Sequence, residues 1–201
     1  MNNKIEERYH HSNFAFRILS LMHDNPLVPI FRNPYRLLEA AGLKSGQKVL
    51  EVGCGPGFFT IPAAKIVGEE GSIYAVDTHP LAIKKVQEKV EREGIKNVNP
   101  ILANASDTEL PDQSIDLAFI FGLRYIAGGL ENLISEMYRI LKPEGVLSFE
   151  KTRGSEKKLI KDVEREGFIH SGRKARIFLF VKCQGDGSSD NKKCKTKTEK
   201  M

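Results

Sequence analysis

The stretch "VLEVGCGPGFFT" (residues 49–60) places Gly53, Gly55 and Gly57 inside five residues, directly behind a short apolar run. Glycine in a packed element costs roughly 0.5–1 kcal/mol relative to alanine, so this loop spends stability to keep its backbone free for close approach. Two phosphate-holding motifs fail here. A P-loop needs Lys and Ser/Thr after its last glycine, and Phe58 follows Gly57. A G-x-G-x-x-G dinucleotide fingerprint needs its third glycine, which lets the helix pack on the strand, at position 58. Phe58 blocks that as well.

Outward from the loop, the chain alternates. "QKVLEV" reads as a buried strand and "FFTIPAAKIVG" as a helix ended by Gly68. "SIYAVD" is a second strand. "HPLAIKKVQEKVEREG" carries apolar residues at 81, 83, 86 and 90, with Pro80 at its start and Gly94 at its stop, which is helical spacing. "NVNPIL" is a third strand weakened by Pro100, and "SIDLAFIFG" is a fourth, apolar on both faces as the centre of a parallel sheet requires. The helix "LENLISEMYRIL" is closed by the turn "KPEG". "VLSFEK" follows as strand five, then the serine-capped helix "SEKKLIKDVEREG" and a hairpin in "FIHSGRKARIFLFVKC". Five such alternations predict right-handed crossovers. The expected fold is α/β: a doubly wound, mostly parallel, seven-stranded Rossmann-like sheet with an antiparallel C-terminal hairpin over residues 46–183. Residues 1–45 are expected to form two helices, near 11–23 and 33–41, as a lid or appendage. The polar tail 184–201 is expected to be disordered.

Composition sets limits. The 201 residues suit one domain, with 40% hydrophobic and 28% charged residues and no tryptophan. No apolar run reaches the ~18 residues a membrane span needs, and "MNNKIEERYHHSNF" has no apolar core of a secretory leader. Cys54, Cys183 and Cys194 are an odd count without a C-x-x-C pair, so neither a disulfide framework nor a metal site is expected. A reducing cytoplasm is the expected location. Of the net +5, residues 184–201 and 1–45 hold +2 each. The charge therefore gathers near the ends, and nucleic acid is not the expected partner.

The glycine loop with Glu51 two residues ahead of Gly53, an acid at the end of strand two, "LPDQSIDLAFIFGLRYI" and "RILKPEGVLSFE" together resemble the landmarks of the class I S-adenosylmethionine-dependent methyltransferases, and within them the small-molecule, quinone-biosynthesis-like group. The resemblance covers roughly residues 35–183. It implies S-adenosylmethionine as cofactor, held by Glu51, Gly53, Cys54, Gly55, Gly57, Asp77, Thr78, Asn104 and Ala105. Glu51 would face the methionine ammonium. Asp77, twenty-two residues past Gly55, would accept from both ribose hydroxyls, with its burial expected to be partial. Asn104 and Ala105 would read the adenine edge. Asn104 stands where the family usually has Asp, and Thr78 where it often has a larger apolar residue. Cys54 reads as a small residue at the cofactor, not a nucleophile.

A small-molecule methyl acceptor is expected. No [DN]-P-P-[YF] follows strand four, no Pro-Cys dipeptide exists, and the cysteines of arsenite methylation are missing. Tyr9, His10, His11 and His23 ahead of strand one, and Arg124 and Tyr125 after strand four, are the candidates for the acceptor side, a histidine there serving as base. Two alternatives stay open: methylation of RNA or protein, motivated by the basic tail, and a catalytically degenerate binder, motivated by Asn104 and Thr78.

Overall fold

A computed structural model describes residues 12–23, 32–123, 126–151 and 154–183. Two helices, α1 (Asn13–His23) and α2 (Pro34–Ala41), precede β1 (Lys48–Val52). Then follow α3 (Thr60–Val67), β2 (Ser72–Asp77), α4 (Pro80–Arg92), β3 (Val98–Leu102), β4 (Ile115–Ile120) and α5 (Gly129–Ile140). The chain closes with β5 (Leu141–Glu150), α6 (Glu156–Arg165), β6 (Phe168–Lys174) and β7 (Ile177–Lys182).

The seven strands form one sheet in the order β3-β2-β1-β4-β5-β7-β6. The first five are parallel to one another, and β7 runs antiparallel between β5 and β6. Alternation along each strand feeds two cores. Val49, Leu117 and Phe119 pack with Leu38, Ala63, Ala64 and Val86 of α2, α3 and α4. Leu50, Ala118 and Ile120 pack with Leu133, Met137 and Val163 of α5 and α6 on the other face. Helix boundaries obey local chemistry. Asn33 Oδ1 accepts from Arg36 N at 3.2 Å, with Pro34 at the first turn and Gly42 left-handed at the end. Ser155 Oγ accepts from Lys158 N at 3.3 Å. Pro100 lies on β3, a sheet edge, where the lost N–H leaves no ladder bond broken in the interior.

One expectation needs correction. "KPEG" does not separate a helix from a strand. It lies within β5, whose register against β4 jumps from Ile115↔Leu141 to Leu117↔Val146. The extra residues loop out as a bulge, with Glu144 at φ +64°, because Leu141 already pairs with β4 before the loop begins. The tail 184–201 lies outside the described residues, and no helix among the described residues is long and apolar enough to cross a membrane.

Candidate functional site

In a sheet of this order, ligands bind beyond the carboxyl ends of the strands, where the crossovers diverge on either side of β1 and β4. Glu51 and Asp77 stand there. Glu51, next to last in β1, is 2% exposed, and its Oε2 accepts from Thr60 Oγ1 at 2.6 Å. No described cation pairs with it. Burial pushes its carboxyl up to about 8; the Thr60 hydrogen bond holds it down and the nearby Asp77 charge adds to the rise. Cys54, 4% exposed, is held as a thiol by burial and by the same two acids. A thiolate nucleophile has no support there.

Asp77 ends β2 and is 7% exposed, more buried than the sequence suggested. The reason is local. Its Oδ2 accepts from Gly55 N at 2.9 Å and its Oδ1 from His79 N at 2.8 Å. The carboxylate thus ties the glycine loop to the β2–α4 turn. An ionised carboxyl has about four acceptor positions, so two remain after these bonds.

The loop itself is left-handed at Gly53 (φ +73°), Gly55 (φ +52°) and Gly57 (φ +82°). Their surroundings differ. A Cβ on Gly55 would meet no described residue within 4 Å, so this backbone is open on that side as far as the described residues go. One on Gly53 would stand 2.4 Å from Leu123 Cδ1, and one on Gly57 would press on Val86 at 3.3 Å. Gly57 therefore serves the packing of the loop on α4, and only Gly55 leaves the approach open.

A cleft of ≈360 Å³, part of it open to solvent, lies beside the loop. It brings together five of the residues singled out from sequence: Gly53, Asp77, Thr78, Asn104 and Ala105. Glu51, Cys54, Gly55 and Gly57 lie outside its lining. Among the described residues the rest of the wall is Val52, Val76, Ala103, Leu123, Ile126, Ala127 and Leu133. Sequence reasoning missed Leu123, Ile126 and Ala127; their signal was the glycine-bounded segment after β4. Asn104, expected from the resemblance to read the adenine edge, accepts through Oδ1 from Ser106 N at 3.0 Å and keeps one lone pair for a ligand. The segment it begins is pinned by Glu136 of α5, whose Oε1 accepts from Thr108 N at 2.9 Å and Thr108 Oγ1 at 2.6 Å.

Tyr9, His10, His11, Arg124 and Tyr125 lie outside the described residues, as does the side chain of His23. On the β4–β5 side, Arg32 ion-pairs with Glu150, which also accepts from Gly122 N at 3.0 Å. The guanidinium lies over the Phe59 ring at 5.1 Å, so the segment before α2 is tied to the end of the sheet.

A glycine loop after β1 of a 3-2-1-4-5-7-6 sheet, with an acid at the end of β2, defines the class I methyltransferase fold. The comparisons agree. A family model described as a methyltransferase domain matches residues 43–193, and the chain belongs to that family. A demethylmenaquinone methyltransferase of Geobacillus stearothermophilus is 33% identical over 152 residues, 73% of this chain and 63% of that protein. A ubiquinone/menaquinone biosynthesis C-methyltransferase of Erwinia tasmaniensis is 36% identical over 119 residues, 57% and 47% of the two chains. The chain thus spans between about half and two thirds of the length of these relatives. Among solved structures, a SAM-dependent methyltransferase from Aquifex aeolicus superposes with a TM-score of 0.71 at 26% identity, covering 81% of this chain and 95% of that one. The resemblance read from the ordered landmarks is borne out.

Proposed function

We propose that this protein is an S-adenosylmethionine-dependent methyltransferase that methylates a ring carbon of a demethylated quinol. The observation that carries the reading is the pair of acids around one glycine loop, Glu51 buried with no cation beside it among the described residues and Asp77 holding the loop with acceptor positions to spare. These features fit the cofactor. A buried carboxyl with no cation beside it is costly to ionise, and an ammonium placed beside Glu51 would stabilise its ionised form and neutralise it. Asp77 can accept from two ribose hydroxyls while keeping both amides. Thr78, Asn104 and Ala105 would border the adenine, and the open side of Gly55 would admit close approach of the main chain.

When bound, S-adenosylmethionine supplies an electrophilic methyl group on sulfur. The chain's own work is to orient and to exclude water. Glu51 fixes one end of the cofactor, Asp77 its centre, and the apolar wall of Val52, Val76, Leu123, Ile126 and Leu133 keeps solvent out. Placement of that kind is worth effective molarities of ~10⁵–10⁸ M in well-oriented reactions. The quinol class is supported by the printed activities of the two relatives. Cys54 is a buried thiol, which suits a reducing cytoplasmic setting.

The test uses methyl-labelled S-adenosylmethionine and a chemically reduced demethylnaphthoquinone. Label should appear on the ring carbon, with S-adenosylhomocysteine as co-product. Calorimetric binding of S-adenosylhomocysteine with no binding of NAD is expected beside it. Equal binding of both, or of neither, overturns the cofactor assignment; binding without ring methylation overturns the acceptor.

A further inference from the structure

Four large apolar side chains of α1 stand in water: Phe14 is 74% exposed, Ile18 47%, Leu21 77% and Met22 61%. They recur at i, i+4, i+7 and i+8, one arc of roughly 100° on a helix of 3.6 residues per turn. Phe16 and Ser20 occupy the opposite side and are 8% and 6% exposed. There the Phe16 ring stacks on the His79 imidazole, 4.7 Å between centroids at 19°. The helix therefore has one face docked on the β2–α4 turn and a second, wholly apolar face directed away from the protein. A contiguous exposed patch of this kind marks an interaction surface.

Three observations choose the occupant. The eleven residues of α1 reach only about 16 Å, half of a ~30 Å hydrocarbon core, so the helix suits lying in an interface and cannot span. The four side chains expose on the order of 500 Å², less than the ~800 Å² per partner that a stable dimer buries. Charge favours anionic headgroups: Arg17, exposed, flanks the stripe, residues 1–45 carry +2, and the whole chain carries +5. We infer that α1 is an interfacial helix that lays Phe14, Ile18, Leu21 and Met22 into the surface of an anionic phospholipid bilayer. Position gives the helix its use. His79, its anchor, directly follows Asp77 and Thr78, both of which line the cleft, so docking brings the cleft mouth to the bilayer. An acceptor whose apolar tail stays in lipid could then present its ring without leaving the membrane. This last step rests on the quinol reading; the docking itself does not.

Flotation of the full chain with phosphatidylcholine vesicles containing phosphatidylglycerol tests the docking. Wild type should float, less so with pure phosphatidylcholine, and the Phe14→Ser/Leu21→Ser variant should lose at least tenfold in partition. Its melting temperature should not fall, and its affinity for S-adenosylhomocysteine should stay within twofold. Failure of wild type to float, or full flotation of the variant, overturns the inference. So does a dimeric wild type that the double substitution makes monomeric, since a second copy then covers the face. With a tailless soluble quinol and a tailed quinol in vesicles as acceptors, the variant should keep the first activity and lose the second. If neither quinol is methylated while flotation behaves as stated, the docking stands and the acceptor reading falls. If the variant methylates the vesicle-borne quinol as well as wild type, the docking has no part in catalysis and the presentation of the acceptor by α1 is overturned, while the docking is decided by flotation alone.

Discussion

Asp77 holds the glycine loop: its Oδ2 accepts from the amide of Gly55 at 2.9 Å, across twenty-two residues of chain. The carboxylate proposed to bind ribose is thus also a fastener of the loop, and its removal should be felt twice. The buried His79 amide and the part-buried Gly55 amide would lose acceptors, a buried one being worth about 1–3 kcal/mol if left unmade, and water entering the cleft would offset part of it.

Asp77→Ala is therefore expected to lower unfolding stability by about 2 kcal/mol and to weaken S-adenosylhomocysteine roughly 100-fold. Asp77→Asn keeps one oxygen and should fall between Ala and wild type on both measures. A urea melt beside calorimetric titration reads the two effects. If Asp77→Ala loses stability yet binds within threefold of wild type, Asp77 is only a loop fastener.

Glu51 gives the protein a pH signature. Its carboxyl, moved by burial from the ordinary 4.5 to about 8, keeps in the folded chain a proton that the unfolded chain has released. Between those values the folded state binds more protons, so stability falls as pH rises from about 4.5 to about 8 and levels off above. The full shift corresponds to at most about 5 kcal/mol, and a slope of a few kcal/mol over the window is expected. Glu51→Gln should flatten it. Ammonium binding needs the ionised carboxylate, so below pH 8 S-adenosylhomocysteine binding should release a proton. Titration in buffers of different ionisation enthalpy measures that release, and none at pH 7 would refute the Glu51 assignment.

Thr60 sets how far that shift goes, because its hydroxyl at 2.6 Å favours the ionised form of Glu51. Thr60→Val removes the donor at nearly constant shape. The midpoint of the pH profile for S-adenosylhomocysteine binding should then move upward, while Thr60→Ser should restore it. A purely structural Thr60 would change stability and leave the midpoint in place.

Legibility in the sequence followed the range of the cause. Pro80, Gly68 and Ser155 act within a turn of their own helix, and the boundaries they predict are observed. The parallel pairing around β1 follows from the strand–helix alternation, and the acid at position 77 from a strand of six residues ending at the right edge. What stayed hidden depends on partners distant in sequence. Thr60 matters because α3 begins over β1, and Leu123 because the turn after β4 folds onto Gly53. The β5 bulge is set by pairing with β4, and the exposed stripe of α1 appears only once Phe16 is known to face inward.

The two glycines that flank Cys54 should respond differently to the same change. At Gly55 a methyl group meets none of the described residues, so Gly55→Ala carries only the left-handed strain, about 1–2 kcal/mol. It also places that methyl where the cofactor is proposed to approach, and S-adenosylhomocysteine affinity should fall at least tenfold. At Gly53 the same strain is joined by a clash, since the new Cβ would stand 2.4 Å from Leu123 Cδ1 and drive that side chain into the cleft. Leu123→Ala removes the obstacle. In double-mutant cycles on stability, Gly53→Ala and Leu123→Ala should couple by about 1 kcal/mol or more, the double variant being more stable than the sum of the singles. Gly55→Ala and Leu123→Ala should be additive within about 0.5 kcal/mol. Binding should show the same asymmetry: truncating Leu123 recovers affinity in the Gly53→Ala background and leaves the Gly55→Ala defect intact. Equal coupling in the two cycles would show that Leu123 does not sit against Gly53 in solution, and recovery of Gly55→Ala by the truncation would place the approach to the loop elsewhere.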